Sequence, residues 1–242
     1  MALFKKKESK ESYFSTATII TKGTHTVGNI VGNDSIHIEG EVHGDVKINN
    51  VVIVTAEGAV HGNIRAKQII SSGSVHGNML CDTVELLEGS RTSGKIKSNK
   101  ILIKGCYEGE IRCAGLFVDA AATLHASIEA KNVVVGGETE GTIVCRELKI
   151  TPTGRIRGKT FAERILNQGG HVEGFIGRYS ELVQNNPGLL RYAHIFSGSD
   201  EAILLSYRDY YVDVEEELRG EKGSQEGDDT IDTDFYTPER SG

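Results

Sequence analysis

From Asn50 to Gly177 the chain falls into register with itself eight times when it is cut into blocks of alternately 17 and 15 residues. The blocks are Asn50–Ala66, Lys67–Cys81, Asp82–Ser98, Asn99–Cys113, Ala114–Ala130, Lys131–Cys145, Arg146–Ala162 and Glu163–Gly177. Self-similarity at a short, fixed period restricts a chain to solenoid-type folds, in which each unit packs on its neighbours alone. Two apolar residues sit one apart near the start of six of the eight blocks, as in Val52/Val54, Ile101/Ile103 and Val133/Val135. A second pair straddles a turn, as in Val60-His61-Gly62-Asn63-Ile64 and Tyr107-Glu108-Gly109-Glu110-Ile111. Alternation with period two is a strand signal, with side chains pointing in and out in turn. Two less regular blocks, near residues 18–33 and 34–49, carry the same signature. The expectation is an all-β solenoid, a β-helix of about ten rungs.

Two columns support that register. The last position of the blocks reads Ala66, Cys81, Ser98, Cys113, Ala130, Cys145, Ala162 and Gly177, all small, as a tight interior corner requires. The turn position reads Gly28, Gly44, Gly62, Gly77, Gly94, Gly109, Ala126, Gly141, Gly158 and Gly174, where glycine relieves a sharp corner. Cys81, Cys113 and Cys145 would then lie two rungs apart, roughly 9.5 Å at ordinary strand spacing. That exceeds the reach of about 7 Å between Cα atoms that a disulfide tolerates. They are expected to be buried thiols acting as small hydrophobes. Cys106 lies off this column and has no pattern around it that suggests a nucleophile.

Charge is distributed unevenly. Residues 213–242 hold eleven acidic side chains against Arg219, Lys222 and Arg240, while the rest of the chain is close to neutral within a net charge of −7. A near-neutral repeat with an acidic tail lacks the basic face of a nucleic-acid binder, so no nucleic-acid partner is expected. No run reaches the roughly 18–20 apolar residues of a membrane span, and the expected location is the cytoplasm.

The N-terminus, Met1-Ala-Leu-Phe-Lys-Lys-Lys7, has two readings. One is an ordinary disordered end. The other is a surface anchor in which Leu3 and Phe4 enter the headgroup boundary while Lys5, Lys6 and Lys7 meet anionic lipid. Past Gly177 the register is lost. Asn186 and Pro187 suit the start of a helix, and a second helix is expected from Asp200, with Ile203, Tyr207, Tyr211, Val214 and Leu218 on one face. These helices either cap the last rung or bind a partner through Tyr207 and Tyr211. From Gly220 the polar, acidic stretch reads as disordered. The expected division is thus 1–17 as tail or membrane-targeting peptide, 18–177 as the β-helix, 178–219 as helical extension and 220–242 as acidic tail.

Outward positions read as polar and mixed, such as His61, Asn63, Lys95 and Lys97. His43, His61 and His76 fall in one outward column in successive rungs. Parallel neighbours about 4.8 Å apart point the same way, so without further ligands they do not converge on one ion and no metal is expected. No carboxylate pair, nucleophile–base pair or phosphate loop stands out from the repeat, so neither enzyme activity nor a cofactor is expected. An enzyme of the left-handed hexapeptide acyltransferase type is the alternative nearest in texture, but its period is a multiple of six. A non-polymerising binding module is another. The ends of a β-helix offer open ladders and apolar columns: Ile20 and Ile30 line the first rung, and Ile165, Val172 and Ile176 the last, making these the candidate polymer-interface residues.

Ile36-His-Ile-Glu-Gly-Glu-Val-His-Gly-Asp-Val46, Gly58-Ala-Val-His-Gly-Asn-Ile64 and Gly73-Ser-Val-His-Gly-Asn-Met79 resemble the repeats of the bactofilins, polymer-forming bacterial cytoskeletal proteins. The resemblance covers residues 18–177. It implies a right-handed parallel β-helix that polymerises end to end without nucleotide, with itself as first partner. It also implies a scaffold for cell-shape or cell-envelope proteins, peripheral to the inner face of the cytoplasmic membrane. Met1–Lys7 resembles the membrane-targeting peptide of part of that family, whereas the extension after Arg178 departs from its pattern.

Overall fold

The structure is a computed structural model describing residues 17–184 and 187–188. Eighteen strands form one parallel sheet wound into ten turns, each with three sides. The first turn is β1 (Ala17–Ile20), β2 (His25–Val27) and β3 (Ile30–Gly32). The second is β4 (Ser35–Ile38), β5 (Glu41–His43) and β6 (Val46–Ile48), and the third β7 (Val51–Val54), β8 (Ala59–His61) and β9 (Ile64–Arg65). β10 (Gln68–Ser71) and β11 (Ser74–His76) follow, and β12 (Met79–Leu86) is the first strand to run round a corner. The next five, β13 (Arg91–Ile103), β14 (Cys106–Val118), β15 (Thr123–Val135), β16 (Glu138–Ile150) and β17 (Arg155–Asn167), each cover all three sides. β18 (His171–Arg178) completes the last turn and α1 (Tyr179–Leu182) follows it.

Every side buries alternate residues, as period-two patterning requires. Ile36, Val52, Ile69 and Val84 stack in register on the first side, Val42, Val60 and Val75 on the second, and Val46, Ile64 and Met79 on the third, all at most 1 % exposed. One continuous apolar core results, running the length of the solenoid.

The alternation of 17 and 15 residues arises at one corner, between the first and second sides. Long turns there, at residues 55–58, 87–90, 119–122 and 151–154, each close with an i to i+3 bond, as in Gly58 N–H to Thr55 O and Gly154 N–H to Thr151 O. Between them the same corner is crossed in two residues, at 72–73, 104–105 and 136–137. The next corner carries the glycine column, and all nine of its glycines have positive φ. At Gly109, with φ +141°, a Cβ would fall on the carbonyl oxygen of Gly94 in the turn before, so stacking as well as torsion demands glycine.

The residue after that glycine has a task of its own in the first turns. The backbone N–H of Asp45 donates to Asn29 Oδ1 at 2.9 Å, that of Asn63 to Asp45 Oδ1 at 2.8 Å, that of Asn78 to Asn63 Oδ1 at 3.0 Å and that of Lys95 to Asn78 Oδ1 at 3.1 Å. This side-chain ladder replaces the main-chain ladder where the strand is interrupted. From β13 onward the strands pass through the same corner unbroken and the Asn/Asp run ends.

The small-residue column is real from Ala66 to Ala162 but not at its last member. Cys81, Ser98, Cys113, Ala130, Cys145 and Ala162 pair in succession, whereas Ala162 stands opposite Arg178. Gly177 instead faces Phe161. The corner at 168–170 has three residues, which slips the last turn by one. Gly177 is small for another reason: a Cβ there would press on the side chains of Leu182 and Phe175. Cys81, Cys113 and Cys145 are buried and free, and Cys106 is exposed. Burial pushes the Cys81 thiol up to about 12 and raises those of Cys113 and Cys145 as well.

Cys113→Leu is expected to destabilise the fold by roughly 1–3 kcal/mol, since the column has no room for added methylenes, with Cys113→Ala milder; thermal melts of the two variants check this. A thiol reagent at neutral pH is expected to label Cys106 alone in the native chain and all four cysteines after denaturation.

Candidate functional site

A stack of parallel strands has no natural stopping point, so its ends are where chemistry unused by the fold is left over. At the C-terminal end each side finishes on one residue of an inward column. Ile165 continues the column of Leu148, Val172 that of Ile156, and Ile176 that of Ile143 and Thr160. With no turn above them among the described residues, Ile165 is 36 % and Ile176 39 % exposed, while Val172 is half-buried against the core. The three sites read from the sequence at this end therefore stand one on each side of the last turn, as the corners of an apolar triangle. At the other end Ile30 is half-buried, whereas Ile20 lies in register with Ile38 and is only 8 % exposed. Ile19 and Val27 are the prominently exposed apolar side chains there.

The rim of the C-terminal end is polar. Asn167 Oδ1 accepts from the N–H groups of Gly169 and Gly170, and its Nδ2 donates to Gly170 O, which closes the three-residue corner. Arg157 Nε donates to Glu173 Oε2 at 3.1 Å. Glu173, followed by Glu140 and Glu138, raises the guanidinium above its ordinary value.

α1 does not lie across this end. Tyr179, Leu182 and Val183 pack on Val144 and Phe161, which face outward on the third side of the two preceding turns. The Ser180 N–H and hydroxyl both donate to the Glu163 carboxylate. Among the described residues the chain thus leaves down the wall of the solenoid. The expected helices beyond Asn186, the Tyr207 and Tyr211 face, and the N-terminal Leu3, Phe4, Lys5, Lys6 and Lys7 lie outside the described residues.

One surface contradicts the expectation that outward positions are polar. The outer column of the first side contains Ile53, Ile70, Leu102, Phe117, Val134 and Leu166, interrupted by Glu85 and Lys149. Phe117 is 44 % and Leu166 56 % exposed. The signal was present as unbroken apolar runs such as Val51–Val54 and Ile101–Ile103, which the in-and-out reading counted for their inward members only.

No curated protein and no solved structure matches the chain. The family profile described as Bactofilin, polymer-forming cytoskeletal, matches it twice, over residues 18–104 and 98–176. Those two spans cover the stacked turns almost from first to last, and so the solenoid with its open apolar end belongs to the bactofilin family of polymer-forming cytoskeletal proteins.

Proposed function

We propose that the chain assembles end to end, without nucleotide, into filaments that lie at the inner face of the cytoplasmic membrane and organise cell-shape or cell-envelope proteins. The observation that carries the assembly step is the triangle of Ile165, Val172 and Ile176 on a strand edge that no other described residue pairs. Burying such an edge under another copy satisfies its backbone groups and removes its apolar surface from water. Membrane attachment rests on the sequence Met1–Lys7, whose two bulky apolar residues and three lysines suit an anionic surface. No helix among the described residues is long and apolar enough to cross a membrane. A single anchor of this size is weak, and a filament multiplies it through effective concentration. The extension after Arg178, with Tyr207 and Tyr211, is the segment assigned to partner binding.

Ile176→Arg places a charge in a contact that assembly would desolvate, so it is expected to give short species with unchanged β content. Glu173→Gln, on the outward face, is expected to alter size far less. Light scattering and negative-stain microscopy without nucleotide check both, and long filaments from Ile176→Arg would rule out assembly through this end.

Removal of residues 1–7, or replacement of Leu3 and Phe4 by Ser, is expected to abolish sedimentation with anionic liposomes while filaments persist. Binding by the intact chain should weaken as salt rises, because the lysine attraction is screened. Sedimentation that survives the deletion would remove the anchor from the account.

A further inference from the structure

The second side of the solenoid gathers histidines around one carboxylate near the N-terminal end. Glu41 and His43 are two apart on β5 and so share its outer face. His61 on β8 is in register with His43, and His25 on β2 with Glu41. The His43 and His61 rings stack with centroids 4.7 Å apart and planes within 10°. Stacked imidazoles alone do not converge on an ion, and the missing ligand is Glu41. Its Oε1 lies 2.8 Å from His43 Nε2 and 3.5 Å from His61 Nε2, and one ligand atom from each of the three falls within 4.8 Å of the others.

We propose that His43, His61 and Glu41 bind a divalent transition-metal ion of the zinc or copper type, with His25 holding the carboxylate in place. His25 Nδ1 is 2.9 Å from Glu41 Oε2, the oxygen turned away from the other two rings. A partner on the far oxygen fixes a ligating carboxylate. Two imidazole nitrogens and one carboxylate oxygen suit zinc, copper or nickel rather than calcium or magnesium. Metal–ligand bonds of about 2.0–2.2 Å need ligand atoms roughly 3.3–3.5 Å apart, so a pair at the 4.8 Å limit must close by about 1.4 Å and the 2.8 Å pair must open slightly. The side chains of Glu41, His43 and His61 are 33 %, 48 % and 40 % exposed, which leaves them free to turn that far with the backbone fixed. His76, next in the column, is engaged otherwise: its Nδ1 lies 2.8 Å from Ser93 Oγ and its Nε2 3.1 Å from Ser74 Oγ. The ligands come from two turns and their support from a third, so a bound ion clamps the first three turns together.

Zinc titrated into the untagged full chain by calorimetry tests this, with cobalt absorbance reporting the coordination geometry. The expected result is one strong site per chain, weakened at least tenfold by His61→Gln or Glu41→Gln and lost in His43→Gln/His61→Gln. His76→Gln should bind as the parent does. Zinc should raise the melting temperature of the parent and of His76→Gln but not of the double variant, because only stacked turns assemble the ligands. All four positions are exposed or half-buried, and circular dichroism verifies that each variant is folded. Equal zinc binding by parent and double variant, or a loss in His76→Gln as large as in His61→Gln, would overturn the assignment.

Discussion

A parallel ladder is completed only by another strand in register, and every other feature of this molecule follows from that requirement. Slipping the pairing by one residue turns each strand inside out, so a winding chain must place the same kind of residue at the same station ten times. The inward columns do this on all three sides with polar exceptions at Ser71, Thr92, Thr139 and Thr160, and the core they form extends along the axis instead of closing on itself. The corners carry the remaining cost. A corner repeated at the spacing of strands brings a Cβ against the carbonyl of the turn before at eight glycines from Gly44 to Gly174, with Ala126 the one exception at that station, and the buried station of Cys113 and Ala130 holds small residues. Where the main-chain ladder is interrupted at the corner, Asn29, Asp45, Asn63 and Asn78 supply the acceptor it lacks.

Those constraints explain what could be read from the residues alone. Turn count, period and both columns were legible because each repeats, and a mistake in register would have broken all of them together. What does not repeat was lost. The three-residue corner at 168–170 occurs once, and it moved Arg178 into the station assigned to Gly177. That a glycine stood there was coincidence: it makes room for Leu182 on the outer wall. The Asn/Asp ladder was visible as letters after each glycine, but its hydrogen bonds belong to no period-two argument. The apolar outer column of the first side was hidden by the assumption that alternation implies a wet exterior. Phe117, Val134 and Leu166 break that assumption within the last five turns. Glu41 was overlooked as a companion of His43 and His61 because it lies in the neighbouring column. Only the structure shows one carboxylate touching rings from three turns.

The path of the chain after the last turn bears directly on function. Among the described residues α1 runs down the wall and not across the last turn, using Val144 and Phe161 as its seat and the Glu163 carboxylate as its hydrogen-bond anchor. The apolar outward residues at 144 and 161 are accounted for in this way. They serve the chain's own return, unlike Phe117 and Leu166, which remain exposed.

The C-terminal end is also more than a repeat cut short. Asn167 occupies the station held by Ile150 in the turn before, and it spends its amide on closing the corner beneath it. Arg178 occupies the station of Ala162, and its guanidinium lies 3.5 Å from Glu181 at the surface. Two corners of the last turn are therefore polar, while Ile165, Val172 and Ile176 keep the middle of each side apolar. A flat hydrophobic end would accept any exposed strand edge, which is the usual route from open ladders to aggregates. Were another copy to stack on this end, an apolar centre framed by Asn167 and Arg178 would disfavour a misplaced neighbour, because its apolar surface would then cover the polar corner of Asn167 and the Arg178–Glu181 pair. The same departures from the repeat that obscured the last turn in the sequence thus give this end its polar rim around an apolar middle.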